Sequence, residues 1–581
     1  MGGFHRVQEG EMMRKPLQIT AMAFGSLLAF GGALVGLSCS TGSEYDVVIR
    51  NGAIYDGSGN PPFVGDLVIK NDTVALVGKA GDLRGNIEID ATGMAVSPGF
   101  INMLSWANET LIQDGRSESD IRQGVTLEVF GEGESMGPLN AEMKKEILDR
   151  QSDIKYPVEW TSLSEYLDFM VKRGVSPNIA SFVGAATVRV HALGYENRAP
   201  TADELERMKA LVRESMEGGA MGVGSALIYA PGTYAKTEEL VELCKVASSY
   251  GGMYISHLRS EGNGLLEALD EFLQIAREAS IPAEIYHMKQ SGEKNWAKLG
   301  PLVARIEAAR QSGLRITANM YTYTAGATGL DAAMPPWVQE CGLTKWINRL
   351  KDPSLRRRVL QEMRTPTKAW ENLLLAAGTP DKALLVGFRQ DSLKYLTGRS
   401  LAEVAMLRGK SAEETAMDLV IDDDSRVGTV YFLMTEGNVK KQITLPWVSF
   451  GSDEGSLAPE GPFLKYNPHP RAYGNFARLL GKYVREEKLV PLAEAVRRLT
   501  TLPASNLGIT SRGLLRPGAF ADVVVFDPAA VSDHATFQSP HQYSTGVLHV
   551  FVNGTQVLKD GAHTGAKPGR VVRGPGWRKG M

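Results

Sequence analysis

The sequence predicts an α/β protein: a (β/α)8 barrel, flanked by a small β-sandwich built from both chain ends and interrupted by an inserted lid. Three observations carry this prediction. Short alternating strand patterns occupy the two ends of the chain, strands and amphipathic helices alternate between them, and that alternation lapses from about residue 325 to 444. With 43% of its 581 residues hydrophobic, the chain has enough apolar material for a core of barrel size.

The first layer covers residues 44–98, where the runs 46–50, 66–70 and 74–77 are separated by Asn-Gly, Gly-Ser-Gly and Asn-Asp turns. A matching set at 521–527 and 547–554 lies within 505–575, and the two sets are expected to pair as one sandwich. Residues 99–504 form the expected barrel. Within them Thr201 and Glu204 make a capping box for a helix that places Leu205, Met208, Val212 and Met216 on one face and stops at Gly218-Gly219. The next strand, 221–228, is small and apolar, as a strand buried on both faces should be. Similar strands end at His257, His287, Tyr321 and Asp453, and barrel chemistry is expected at those C-terminal ends. The insertion carries helix starts at Asp352-Pro353 and at Ser411 with Glu414, which suits a lid over the barrel mouth.

A net charge of −3 excludes a strong electrostatic pull toward nucleic acid or an anionic surface, and leaves a small polar substrate as the expected partner. Residues 1–43 are set apart. Arg14 and Lys15 precede an uncharged stretch, 17–37, that meets Ser38, Cys39 and Ser40, the pattern of a bacterial secretory signal started at Met12 or Met13. The alternatives are a retained membrane anchor or a lipid tether on Cys39, the latter against Gly36, where a lipobox carries Leu. Export to the periplasm, or to a membrane by lipid, is the expectation. Cys244 and Cys341 are the only other cysteines, too few for a disulfide framework.

Of nine histidines, His257 (Tyr-Ile-Ser-His-Leu-Arg) and His287 (Glu-Ile-Tyr-His-Met-Lys) end consecutive strands, which in a barrel face one pocket. They are either hydrogen-bonded core histidines or, with Asp453 of Gly-Ser-Asp, a set suited to a divalent metal and a carboxylate base.

Further motifs are Asn51-Gly52-Ala53-Ile54-Tyr55-Asp56-Gly57, Ser97-Pro98-Gly99-Phe100-Ile101, Gln123-Gly124-Val125-Thr126, His469-Pro470-Arg471, Tyr473-Gly474-Asn475-Phe476 and Gly518-Ala519-Phe520-Ala521-Asp522. With the histidine strands and Gly451-Ser452-Asp453, the chain resembles the amidohydrolase superfamily, and within it the D-aminoacylase (N-acyl-D-amino-acid deacylase) family, over nearly all of its length past the signal. The resemblance implies a TIM-like barrel with a β-sandwich and lid. It implies that His257 and His287 are zinc ligands, that Asp453 is the general acid/base, and that Lys289, Tyr321 and Arg471 hold a substrate carboxylate. For Lys289 and Arg471 the plainer alternative is a solvated surface charge.

Two departures from the family pattern stand out. Where it has His-x-His, this chain has Leu104 and Trp106, neither able to bind a metal, so the first metal site is missing. Where it has a Cys, this chain has Phe130-Gly131-Glu132-Gly133-Glu134, so Glu132, or Glu134 if the loop slips by one residue, becomes the third ligand. Either glutamate is otherwise a loop cap or a partner of Lys289. The expected reaction is metal-dependent amide hydrolysis of an N-acyl-D-amino acid, with a dipeptide or cyclic amide as alternative substrate. The rival class is a non-catalytic exported binding barrel.

Overall fold

Strand and helix alternate from residue 99 onward in the computed structural model, which describes residues 44–578. The signal segment with Cys39 lies outside the described residues. Eight parallel strands form the barrel: β1 (Phe100–Asn102), β2 (Val125–Phe130), β3 (Asn178–Ser181, resuming as Val183–Gly184), β4 (Gly222–Ala226), β5 (Met253–His257), β6 (Ala283–Ile285), β7 (Ile316–Met320) and β8 (Val448–Phe450). Each pairs with the next in parallel register. The ring closes because Met103 N donates to Phe450 O (3.2 Å) and Asp453 N to Leu104 O (2.8 Å), joining β8 to β1.

The glycines of β4 answer to close packing. A Cβ on Gly224 would stand 2.0 Å from Gly131 O, so the loop after β2 runs against β4 only because no side chain intervenes. The helix Ala202–Glu217 has the expected Thr201/Glu204 capping box and buries Met208, Val212 and Met216. Asp352 caps Pro353–Met363, and Ser411 with Glu414 caps Ala412–Asp423.

The two chain ends join in one branched nine-stranded sheet. Ala95–Pro98 pairs antiparallel with Val523–Phe526, and Tyr45–Ile54 pairs in parallel with both Gly85–Asp90 and Ala95–Pro98. Val47, Ile49, Leu67, Val96, Val523 and Phe551 fill its core. Asp522 ties this layer to β3: it accepts from Asn553 N (2.8 Å) and Asn178 Nδ2 (3.2 Å) and pairs with Arg512. Strand character ends at Ala562–His563, and the chain beyond it, expected to stay with the sandwich to 575, returns along the barrel. There Ile179 N donates to Arg570 O and Gly574 N to Gly219 O.

The insertion has its own antiparallel sheet, Ala325–Gly329, Gly428–Phe432 and Ala383–Gly387, and its own core around Leu330, Trp346, Val359, Leu385 and Met417. This lid ends ahead of the expected residue 444. The helix Glu436–Ile443 belongs to the barrel, because Val439 and Ile443 pack in the main core. Among the described residues no helix is long and apolar enough to cross a membrane.

Candidate metal centre and active site

Two glycines with positive φ, Gly131 (108°) and Gly133 (69°), bracket Glu132 in the loop after β2. Gly133 packs on Ala226 at the end of β4, where a Cβ would approach the Ala226 Cβ to 2.6 Å. This backbone, open only to glycine at both positions, turns the Glu132 carboxylate into the barrel mouth. His257 is the last residue of β5, and His287 stands two residues past β6 at φ 31°. Their rings lie 4.4 Å apart at 85°.

The three side chains converge. Glu132 Oε1 lies 3.0 Å from His257 Nδ1 and 2.8 Å from His287 Nε2, and all three are buried. One ligand atom from each falls within 4.8 Å of the others, making a three-donor group fit for a metal ion. The donors, two imidazoles and a carboxylate, suit zinc and comparable divalent cations. Electrostatics agree with that fit. Burial alone would push the Glu132 carboxyl up, but the His287 charge and hydrogen bonds from both imidazoles hold it well below the usual carboxylate range. Burial alone would push His257 down, yet Glu261 and Glu132 outweigh it and raise it to about 9. The carboxylates here demand positive charge. Glu134, the alternative ligand, lines the cavity from an exposed position and is not in the three-donor group.

Asp453 sits three residues past β8 at φ 54°, in the left-handed region that Asp tolerates better than most residues. Its Oδ2 lies 2.8 Å from Arg471 Nη1, and its Oδ1 accepts from Trp106 Nε1 at 3.2 Å. Burial raises its pKa, opposed chiefly by Arg471.

Arg471 opens the helix Arg471–Arg478 and is 1% exposed, which removes the alternative of a solvated surface charge. Its guanidinium stacks 4.4 Å over the Tyr321 ring, and its Nε has no hydrogen-bond partner. His469 anchors the turn before it, accepting at Nδ1 from Arg471 N (3.0 Å) with Nε2 3.0 Å from Ala325 O. Burial holds His469 neutral, well below its ordinary pKa, as that tautomer requires. The Tyr321 hydroxyl, one residue past β7, is also buried without a partner.

Lys289 is buried too, so it is not a surface charge either. Its partner is neither loop glutamate but Glu261, at 2.7 Å, and it stands 2.7 Å from His287 Nδ1. Glu261 also approaches His287 Nδ1 (3.2 Å) and His257 Nε2 (3.5 Å). Burial would raise the Glu261 carboxyl, but His257 and Lys289 hold it well below its ordinary pKa.

All seven residues singled out from sequence line one cavity of about 750 Å3, together with Glu261, Trp106 and lid residues such as Thr328, Trp346 and Arg426. Two contributors went unread in the sequence. Glu261 follows His257 by four residues, and a carboxylate so close to a ligand histidine at a strand end is a signal for the partner that orients such a ring. Trp106, read only as a missing ligand, donates its indole N–H to Glu132 Oε2 (3.0 Å) as well as to Asp453. Leu104, by contrast, is buried in an apolar cluster with Ile101, Met103 and Val129.

Comparison with known proteins gives this geometry a lineage. Residues 88–558 match the amidohydrolase family. D-aminoacylase from Alcaligenes xylosoxydans xylosoxydans is 32% identical over 542 residues, 92% of this chain and 99% of the relative. A D-aminoacylase structure concerned with its binuclear metal centre, with one-metal activation and second-metal attenuation, superposes with a TM-score of 0.75 at 31% identity, covering 91% of this chain and 100% of that one. N-acyl-D-glutamate deacylase from Bordetella bronchiseptica, complexed with zinc and a phosphonate mimic of the tetrahedral intermediate, superposes at 0.74 with 29% identity, covering 91% and 99%. The chain therefore belongs to the amidohydrolase family, on its D-aminoacylase branch, and is an enzyme acting on carbon–nitrogen bonds.

Proposed function

We propose that the chain hydrolyses the amide bond of N-acyl-D-amino acids, using one divalent cation, zinc by preference, held by Glu132, His257 and His287. The observation that carries this is the convergence of that donor group with Asp453 and Arg471 in one cavity. Substrate class and D-configuration rest on the relatives, named for D-aminoacylase and N-acyl-D-glutamate deacylase activity. A cation there supplies a Lewis acid that polarises the scissile carbonyl and acidifies water. One-metal activation in D-aminoacylase makes a single cation a workable arrangement for this chemistry.

The chain's own residues do the rest. Asp453 takes the proton of the attacking water on a carboxylate oxygen and returns it to the leaving nitrogen, since an amide anion leaves poorly. Arg471 binds the substrate carboxylate through its unpartnered Nε edge, and the free Tyr321 hydroxyl adds a donor beside it. Lys289, 5.5 Å from the centre of the Tyr321 ring, contributes charge to the same carboxylate while it neutralises Glu261. Glu261 in turn fixes the imidazoles of His257 and His287 from the side away from Glu132. Lid residues Thr328, Trp346 and Arg426 complete the wall of the cavity.

Comparative turnover of N-acyl-D-amino acids, their L-isomers, dipeptides and cyclic amides tests this reading. It expects the D-isomers to dominate; preference for any other class overturns the substrate assignment. We propose also that the protein is exported by its 1–43 segment to the periplasm or to a membrane by lipid on Cys39, on the strength of Arg14, Lys15 and the uncharged stretch that follows. Fatty-acid label that vanishes in Cys39→Ala supports the lipid form, and a full-length cytoplasmic product contradicts both.

A further inference from the structure

Two carboxylates face each other across the barrel mouth, Glu132 from the loop after β2 and Asp453 from the loop after β8. A single N–H lies between them: Trp106 Nε1 donates to Glu132 Oε2 at 3.0 Å and to Asp453 Oδ1 at 3.2 Å. Glu132 and Asp453 are both buried, so their mutual repulsion is weakly screened and must be met by protons, cations or donors. On their other oxygens they already have partners, the two imidazoles on Glu132 Oε1 and Arg471 beside Asp453 Oδ2. What remains is the gap between Glu132 Oε2 and Asp453 Oδ1, and the indole fills it.

We infer that Trp106 is a positioning residue that takes the place of a second cation in this gap and keeps the centre mononuclear. The chemistry of the indole supports this. Its nitrogen lone pair belongs to the ring, so Nε1 donates and never ligates, supplying partial positive charge to both carboxylates while offering no donor atom to a metal. Its 38% exposure and its place in the cavity lining put this donor on the cavity wall. Leu104, on the same rim, adds only buried apolar surface. The inference rests on the metal-centre reading given above and goes beyond it: absence of histidines removes ligands from a second site, whereas Trp106 makes the gap actively closed.

The test is zinc content per chain after equilibrium dialysis against a large excess of zinc, measured on wild type, Trp106→Phe and Trp106→His, with folding checked by circular dichroism. Wild type is expected to hold one zinc. Trp106→Phe, which keeps a ring but loses the N–H, is expected to take a second zinc, and Trp106→His, which adds a ligand, to take it more tightly. A second zinc in wild type overturns the inference, as does a folded Trp106→Phe that stays at one. Should Trp106→Phe fail to fold, Trp106→His decides by the same count. Wild type with no zinc at all sinks the metal-centre reading itself, an outcome distinct from either.

Discussion

The two sides of the barrel mouth differ in kind. At the ends of β5 and β6 the chain places His257 and His287 against Glu132, with Glu261 and Lys289 beside them, a closely linked polar cluster. At the end of β1 the equivalent rim carries Leu104 in an apolar cluster and Trp106 with one N–H. Both rims stand at the C-terminal ends of barrel strands; side-chain chemistry makes one side a metal site and the other a wall. A barrel rim therefore sets where chemistry stands, and the side chains at each strand end set what it is.

Breaking the histidine side should have the largest effect. His257→Ala or Glu132→Ala is expected to lose the bound metal and at least about three orders of magnitude in kcat/KM, since Lewis-acid stabilisation is worth several kcal/mol. Metal analysis beside kinetics reads this, and undiminished metal and activity in both variants would misplace the site. Asp453→Asn should cost on the order of 10² to 10⁴ in kcat with metal retained, because the proton carrier is gone and the cation is not. Loss of metal along with activity would instead make Asp453 a ligand.

The side opposite the metal sharpens the comparison. Arg471→Ala should weaken N-acyl amino acid binding by about 2–5 kcal/mol, the cost of stranding a desolvated charge, and affect neutral amide analogues much less. Equal losses for both would give Arg471 a purely structural role through its pairing with Asp453. Glu261→Gln should reduce metal affinity by about 10–100-fold, measured by competition with a chelator, with substrate KM little changed. The smallest effect is expected far from the mouth: Thr201→Ala removes a helix cap and should cost about 1 kcal/mol in denaturant unfolding while kcat/KM stays constant.

What the sequence disclosed follows from what is local. Strand ends and capping boxes at Thr201 and Ser411 are written in consecutive residues, so the barrel, the lid and the approach of His257 to His287 were legible, whereas Glu132 was reached only through the family resemblance. Contacts made across the barrel were not legible. Trp106 reaches Asp453, 347 positions away, a pairing that depends on ring closure between β8 and β1, and Arg471 closes on the same carboxylate from the start of a helix beyond β8. Glu261 was missed because its role depends on two rings brought together by adjacent strands, one of them 26 residues downstream at His287. The edges of the lid and sandwich were misjudged for a related reason: whether 436–443 and 570–574 join one layer or the next is decided by packing, not by pattern.

The central claim is that one cation, held by Glu132, His257 and His287, is sufficient for deacylation. Titrating chelator-stripped protein with zinc while following hydrolysis of an N-acyl-D-amino acid tests it most directly. The account predicts activity that rises linearly and breaks at one equivalent per chain in wild type, with no such rise in Glu132→Ala; full activity without added metal, or a break at two equivalents, would contradict it.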